Sequence, residues 1–493
     1  MGIRFIYGRA GSGKSSFCID EISRRVKDDK VSKIIYIVPE QYTFQRETLL
    51  LRKVGEQALL KTEVLSFKRM AHRVFDLCGG RVHDRMKDSG RSMLIYKILQ
   101  KDEDNLHYFN RISKEQGFTD IISKTITEFK KYNVFPENLD DSVENVDDKD
   151  LKDKLMDLSL IYSKFNESIA ENMIDGDDEL TLLAEKLSLK DPYREAEIWI
   201  DEFTTFTPQQ MEVIRALAGQ CKEINITLCM DELGKGKEDE VTDIFNVIKS
   251  TEYRLLLMMR ENNIGYLEPI NLNDGVPLRF RQSKELAHLE KYFFTYPFKL
   301  YKEPVKDMRL YKANNSYDEI EEVAREIIRL VRDEGYRYRD ISVVCRNIDE
   351  YEKITTVIFN EYGIPLFLDK KIDILNNPLI ILVLSALEIY LRGWSYETVF
   401  KYLKSGLTGI SRDEIDVLEN YVLAKGIKGY KWIGELSAEA EDEVVVSIME
   451  RVRKPLMTFH KKILKKDVRG ICTAIYEFLV DINVFDMIDE WVK

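Results

Sequence analysis

The sequence predicts an α/β protein with parallel sheets and helical insertions. Apolar segments at residues 3–7 and 34–38 flank a helix-like segment at 16–26, and apolar segments return at 197–200 and 224–230 after a long helical stretch. A strand, a crossover helix and a second strand form a parallel unit that binds ligands at the carboxyl edge of its sheet. The residues that follow these strands are therefore the candidates for function.

The first of these loops is a phosphate-binding motif. Residues 8–15 match G-x-x-x-x-G-K-[ST] at every fixed position, between a strand and a helix as the motif requires. Its backbone N–H groups would wrap a triphosphate, Lys14 would reach the outer phosphates, and the Ser15 hydroxyl would complete a Mg²⁺ shell. The chain is thus predicted to be a P-loop NTPase that holds ATP and Mg²⁺ through Gly8, Arg9, Ala10, Gly11, Ser12, Gly13, Lys14 and Ser15.

The strand at 197–200 leads into a second pair of candidates, Asp201 and Glu202. In a P-loop sheet, one carboxylate at this edge holds Mg²⁺ together with the loop serine, and another orients the attacking water. We assign Asp201 to the metal and Glu202 to the water, with Lys14 as the third catalytic residue. An apolar strand followed by Asp-Glu is common in α/β proteins, so the assignment depends on its pairing with the P-loop.

The rest of the chain falls into helical blocks and a second α/β region. Residues 84–190 are predicted to be mainly helical, with an acidic solvated loop at 136–157 to which we assign no function. A second parallel unit is predicted from strands at 308–311 and 340–346 and helices at 318–334 and 350–362. Asp318 and Glu321 are predicted to cap the first of these helices. Residues 394–493 are again helical, and the chain is predicted to be cut within this block.

Composition indicates a folded, cytoplasmic protein. Hydrophobic residues make up 44% and charged residues 32% of the 493 positions, enough apolar material for sizeable cores. The six cysteines form no C-x-x-C pair and are predicted to be reduced and mostly buried, and no apolar run is long enough to span a membrane. Because the net charge is −12, any contact with DNA requires a local basic patch.

Several stretches together resemble the AddB family, which supplies one of the two subunits of bacterial AddAB ATP-dependent helicase–nucleases. They are the P-loop, V-P-E-Q-Y-T-F-Q at 38–45, V-L-S-F-K-R at 64–69, W-I-D-E-F-T-T-F-T-P-Q-Q at 199–210, Y-R-Y-R-D-I-S-V-V-C-R at 336–346 and G-I-P-L-F-L-D at 363–369. The resemblance runs in order through nearly the whole chain, although only the P-loop is specific by itself.

The resemblance implies a RecA-like, superfamily 1 (UvrD-like) helicase framework. Residues 1–83 with 191–300 would form the P-loop domain (1A-like), 84–190 a helical insertion (1B-like), 301–393 the start of a second RecA-like domain (2A-like), and 394–493 a truncated helical insertion (2B-like). The family's nuclease domain, with its iron–sulphur cluster, would lie beyond these residues. The implied partners are an AddA-type helicase–nuclease subunit, in a heterodimer, and single-stranded or broken double-stranded DNA, with no membrane.

In helicases of this framework the loops after the second and third strands touch single-stranded DNA. Here these loops offer hydroxyls, aromatic rings and cations, which suit backbone contact and base stacking: Tyr42, Thr43, Phe44, Ser66, Phe67, Lys68 and Arg69. The alternative is that the two phenylalanines belong to the core and that the two cations form a solvated helix start.

Departures from active motors of this framework predict weak or absent ATP turnover. The first strand begins too early for a glutamine-containing adenine segment, and Gly234 stands where motors carry a glutamine that senses the γ-phosphate. The arginine of the N-Y-R-S motif corresponds imperfectly to Arg279 or Arg281, and later arginines would lie past residue 493. Losing such arginines costs on the order of 10³-fold in rate.

These features predict a helicase-like region that binds ATP, Mg²⁺ and single-stranded DNA. It would hold the strand on which the family recognises the Chi sequence while AddA drives translocation, and it would act as an enzyme only within the helicase–deoxyribonuclease complex. Two alternatives remain open: a self-sufficient superfamily 1 helicase, and a P-loop scaffold or switch with no DNA role.

Overall fold

The computed structural model describes residues 2–27, 33–55, 61–79, 84–113, 115, 117–169, 173–234, 243–368, 374–434 and 443–492. The chain divides into two compact units, Met1–Tyr311 and Lys312–Lys493. The finer division into four domains stays a prediction.

A parallel sheet organises the first unit. Its strand order is β3-β2-β6-β7-β1-β8, with β9 also paired to β1, and each of these pairings is parallel. The strands are β1 (Gly2–Tyr7), β2 (Ile34–Ile37), β3 (Thr62–Leu65), β6 (Glu197–Ile200), β7 (Glu223–Leu228), β8 (Gly265–Tyr266) and β9 (Ile270–Asn271), while β4 (Asp84–Met86) and β5 (Met173–Asp175) form a separate parallel pair. The α/β prediction is confirmed.

Helices cover both faces of this sheet. The helices of the unit are α1 (Lys14–Val26), α2 (Thr43–Val54), α3 (Phe67–Cys78), α4 (Asp88–Lys101), α5 (Phe118–Lys131), α6 (Pro136–Glu144), α7 (Lys149–Ile169), α8 (Glu179–Leu189), α9 (Pro208–Ala218), α10 (Asn246–Glu261) and α11 (Lys284–Tyr292). Alternate strand residues bury on opposite sides, so Tyr36 packs with α1 and α2, whereas Ile35 and Ile37 pack with α3, α8, α9 and α10. The loops at the carboxyl edge are therefore anchored to a sheet that is packed on both faces.

The helical insertion between β4 and β5 has its own core, to which α4, α5 and α7 contribute buried residues. The acidic segment at 136–157 was predicted to be a loop, and this is wrong: α6 and the first part of α7 occupy it. Pro136 stands at the helix start and Leu139 is buried, while the buried Asp157 carboxylate accepts the backbone N–H groups of residues 107–109 at 2.8–2.9 Å. Local capping and burial outweigh the charge of the segment.

The second unit consists of helices with irregular connections in its described residues. They are α12 (Ser316–Asp333), α13 (Ile348–Glu361), α14 (Pro378–Arg392), α15 (Tyr396–Leu403), α16 (Arg412–Lys425), α17 (Glu443–Ile463), α18 (Val468–Asp481) and α19 (Val484–Val492). The helices predicted at 318–334, 350–362 and within 394–493 are confirmed. Asn315, rather than Asp318 with Glu321, caps α12, because its side chain accepts the Asp318 N–H at 2.9 Å.

The two strands predicted in this second region are not formed. Residues 308–311 and 340–346 lie outside any strand, and Leu310 and Val344 are 101% and 90% exposed. An apolar segment becomes a strand only when a neighbour pairs with its backbone, and among the described residues no strand pairs with either segment. Local sequence preference alone therefore does not build the second sheet here.

Two further expectations concern the cysteines and the membrane. Cys18 and Cys221 are buried, but Cys345 and Cys472 are exposed, so the prediction that the thiols are mostly buried is wrong; all six are free. Among the residues that the structure describes, none of the helices has the length and apolar character needed to cross a bilayer.

Candidate functional site

The P-loop connects β1 to α1 at the carboxyl edge of the sheet. Gly11 and Gly13 adopt φ angles of 76° and 99°, in the left-handed region that favours glycine. Helix α1 begins at Lys14 with no side-chain cap and no acidic residue in its first turn. Its first N–H groups are therefore available to an anion, as a phosphate site requires.

The side chains of the loop also fit a phosphate ligand. The Ser12 hydroxyl is buried and has no hydrogen-bond partner among the described residues. The Lys14 ammonium donates to the carbonyl oxygens of Gly8 at 2.7 Å and Arg9 at 2.9 Å, so it lies folded onto its own loop. An incoming phosphate would compete for this ammonium and would offer the Ser12 hydroxyl an acceptor.

Arg9 lies in the loop, but its side chain points to other partners. Its guanidinium donates to the Glu290 carboxylate of α11 at 3.0 Å and lies 5.1 Å from the ring centre of Phe245, and its backbone N–H donates to Asn273 Oδ1 at 2.7 Å. These contacts fix the first residues of the P-loop. Arg9 would therefore serve a nucleotide through its backbone rather than through its charge.

The two carboxylates that follow β6 have different surroundings. Asp201, predicted to share Mg²⁺ with Ser15, is 1% exposed, and its oxygens accept the hydroxyls of Tyr36 at 2.7 Å and Thr227 at 2.6 Å. Burial raises the pKa of Tyr36 well above its usual value, and the charge of Asp201 raises it further. The phenol therefore stays protonated and donates. Asp201 is thus engaged by two hydroxyls in the core, and its assignment to the metal stays a prediction.

Glu202 takes the position beside the P-loop serine. The Ser15 hydroxyl donates to Glu202 Oε1 at 3.2 Å, and Arg46 of α2 forms an ion pair with the same carboxylate. The side chains of Arg46 and Glu202 are 14% and 22% exposed, so the pair is partly shielded from water. A hydroxyl and a carboxylate oxygen side by side suit Mg²⁺, which binds few protein ligands and keeps several waters.

The segment with the candidate arginines lies against the P-loop. The Arg279 N–H donates to the Gly11 carbonyl at 3.0 Å, and a Cβ placed on Gly11 would lie 3.0 Å from the Phe280 ring. The side chains of Arg279 and Arg281 are exposed. Gly234, which replaces the sensing glutamine, follows β7, and its N–H donates to Glu252.

The loops predicted to touch DNA lie at the ends of the neighbouring strands β2 and β3. Phe44 is 78% exposed, Lys68 and Arg69 are exposed, and Tyr42 is half-buried. Neither cation forms an ion pair with a residue that the structure describes.

Three of the predicted DNA contacts are buried instead. Thr43 and Ser66 are 2% and 4% exposed, and Ser66 caps α3 by accepting the Arg69 N–H at 3.2 Å. Phe67 is 4% exposed and packs edge-on against Phe203, with ring centres 5.5 Å apart. Direct contact of these side chains with DNA is not supported, because they fill the core and the helix cap below the exposed residues.

Sequence reasoning missed Arg46, Tyr36 and Thr227. Arg46 directly follows the stretch that carries the family resemblance, and Tyr36 and Thr227 are polar residues within otherwise apolar strands. A buried hydroxyl needs a partner, so their positions offered a weak signal that a polar group lay nearby.

Comparison with known proteins places the chain in a family. Residues 5–290 match the family described as ADDB, N-terminal, and residues 284–490 match the UvrD-like helicase C-terminal domain. Similar proteins from Clostridium perfringens (strain SM101), Clostridium botulinum (strain Loch Maree) and Thermoanaerobacter sp. (strain X514) are 47%, 44% and 45% identical over the whole chain, and each is named as the B subunit of an ATP-dependent helicase/deoxyribonuclease.

The chain spans 44% of the length of these relatives. The family match covers more than half of the chain, through the P-loop, Glu202 and the loops after β2 and β3. The chain therefore belongs to the AddB family and corresponds to its N-terminal part.

Proposed function

We propose that this chain is the N-terminal, helicase-like region of the AddB component of an ATP-dependent helicase–deoxyribonuclease that processes broken DNA for recombinational repair. It binds ATP with Mg²⁺ and single-stranded DNA, and it turns ATP over slowly or not at all by itself. The observation that carries the proposal is the P-loop beside Glu202, on a chain whose relatives are named for this activity.

Different residues would bind the nucleotide, the metal ion and the DNA. The α1 N-terminus, Lys14 and Ser12 would hold the phosphates, and Ser15 with Glu202 would hold Mg²⁺, whose charge would offset that of the phosphates. Phe44 would stack on a base, while Lys68 and Arg69 would contact the DNA backbone. The partner would be an AddA-type subunit in a cytoplasmic heterodimer, and the bound strand would be the one on which Chi is read.

Three features of the site support weak turnover. Glu202, which would hold Mg²⁺ together with Ser15, would not be free to orient a water. Glycine occupies position 234, where a γ-phosphate sensor is expected. The arginine of the N-Y-R-S motif has only an imperfect counterpart, Arg279 or Arg281. Without arginine neutralisation, charge in the transition state is poorly stabilised.

Nucleotide binding is tested with Lys14→Ala. We expect this variant to bind Mg²⁺·ATP about tenfold or more weakly than the unaltered chain, because a charge-assisted hydrogen bond to phosphate is lost. Equilibrium binding of a fluorescent ATP analogue measures the change, and Lys27→Ala, at the far end of α1, is the matched control. Unchanged affinity of Lys14→Ala would overturn the P-loop assignment.

Turnover is measured separately, with and without single-stranded DNA. We expect little ATP hydrolysis in either condition. Robust DNA-stimulated hydrolysis that disappears in Lys14→Ala would instead establish a self-sufficient motor.

A further inference from the structure

A chain of three side chains joins the DNA-facing helix α2 to the nucleotide site. We propose that Arg46 is a positioning residue that couples the two ligands: it holds Glu202 when both are absent and releases it when DNA and Mg²⁺·nucleotide bind. The inference rests on the proposed function of both sites and adds a means by which one site senses the other.

The geometry of the contact is direct. Ser15 donates to Glu202 Oε1 at 3.2 Å, and the guanidinium of Arg46 pairs with that same oxygen. The Arg46 Nε atom is buried without a hydrogen-bond partner among the described residues, so the guanidinium is only partly satisfied in this arrangement. A buried donor without an acceptor favours any movement that gives it one.

The backbone of Glu202 is itself unusual. Its φ angle is 68°, in the left-handed region, which is rare for residues other than glycine, asparagine and aspartate. The adjacent Asp201 is fixed by its N–H bond to the Ile37 carbonyl at 3.0 Å and by two buried hydroxyls. The strand end therefore fixes the backbone of Glu202, and Arg46 reaches its carboxylate from the separate helix α2.

Arg46 is close in sequence to the proposed DNA contact, and its side chain, 14% exposed, is turned inward to Glu202. It stands in the first turn of α2, two residues after Phe44, which is 78% exposed. The N-cap residue Tyr42 gives this helix no side-chain cap. A base stacked on Phe44 would bring a DNA phosphate near the start of α2, where a guanidinium is the natural partner for it.

Charge competition sets the sign of the coupling. Mg²⁺ at Ser15 and Glu202 would replace the positive charge of Arg46 on the carboxylate and free the guanidinium. A DNA phosphate would replace the negative charge of Glu202 on Arg46 and free the carboxylate for Mg²⁺. Each ligand thus removes a contact that opposes the other, so the two should bind with positive and reciprocal coupling.

The experiment measures affinity for a fluorescent Mg²⁺·ATP analogue with and without a saturating oligothymidylate, and affinity for the oligonucleotide with and without nucleotide. For the unaltered chain we expect each ligand to tighten the other by about fivefold or more, equally in both directions. In Arg46→Gln the factor should fall to about one. The matched control is Arg52→Gln, because Arg52 is exposed on the same helix and forms no ion pair with a described residue.

Glu202→Gln provides a second variant should Arg46→Gln fold poorly. It removes the charge for which Arg46 and Mg²⁺ compete and should abolish the coupling too. Coupling that persists in either variant, or that is absent from the unaltered chain although both ligands bind, overturns the inference. Failure of either ligand to bind the unaltered chain is a different result, because it overturns the proposed function.

Discussion

At the scale of single residues, a carboxylate lies in the core next to Glu202, the residue that contacts the P-loop serine. Asp201 is 1% exposed, and an ionised carboxylate in that position must be satisfied by hydrogen bonds. Tyr36 and Thr227 donate to its two oxygens, one from each strand flanking β6. This arrangement fixes the end of β6 and thus the position of Glu202, which follows it.

Removing one of these donors should destabilise the fold. We expect Tyr36→Phe to lower the free energy of unfolding by about 1–3 kcal/mol, because a buried carboxylate oxygen is left without its partner. Urea denaturation, followed through the fluorescence of the first unit, measures the change in the free energy of unfolding. Tyr193→Phe is the matched control: Tyr193 is equally buried, but its hydroxyl has no partner among the described residues, so its loss should be neutral or stabilising. Equal effects of the two substitutions would contradict this account.

At the scale of elements, the helical insertion is held together by buried charges. Lys130 of α5 is 3% exposed and pairs with Asp175 at 2.9 Å and Asp178 at 2.7 Å. Arg91 of α4 pairs with Asp175 at 3.1 Å, and both cations lie near the Phe165 ring. The cluster brings α4, α5 and α7 together at β5.

Breaking this cluster should be costly. We expect Lys130→Ala to lower the free energy of unfolding by about 3–5 kcal/mol, because it leaves buried carboxylates without their cation. Lys131→Ala is the control, since Lys131 is the next residue of α5 and is exposed; its effect should stay within about 0.5 kcal/mol. Thermal unfolding followed by circular dichroism distinguishes the two. A small effect at Lys130 would mean that water already reaches the cluster.

At the scale of the whole molecule, the net charge of −12 opposes binding to DNA. Any affinity must therefore come from a few local cations and from stacking. Lys68 and Arg69 project from the edge of the sheet beside the loop that carries Phe44, whereas Lys27 lies at the opposite edge. The location of the cations, rather than their number, should decide the affinity.

Salt dependence separates these contributions. In band-shift titrations with an oligothymidylate, Lys68→Glu should weaken binding and reduce the slope of log affinity against log salt by about 0.7, one single-strand phosphate contact. Phe44→Ala should weaken binding by about 1–3 kcal/mol with the slope unchanged, because stacking releases no counterions. Lys27→Glu makes the same change of charge away from the site and should have little effect. A loss with Lys27→Glu as large as that with Lys68→Glu would indicate binding through overall charge alone.

Much of the site could be predicted because it is encoded locally. The glycines of residues 8–15, the apolar strands around them and the apolar residues on one face of α12 are patterns within a few residues, and backbone geometry follows from them directly. The same holds for the position of Asp201 and Glu202 at a strand end. The sequence by itself thus determined the P-loop, the parallel sheet and the set of side chains at its carboxyl edge.

The tertiary structure decided which of those side chains meet. Ser15 and Glu202 are 187 positions apart, and Arg46 reaches Glu202 across 156 positions, so no local pattern shows that Glu202 rather than Asp201 faces the P-loop. The same is true of Phe67, which fills the core while Phe44 faces water, and of residues 308–311 and 340–346, which have strand-like sequences but no strand beside them in the described part of the chain. Burial and pairing depend on distant neighbours, and only the folded chain brings those neighbours together.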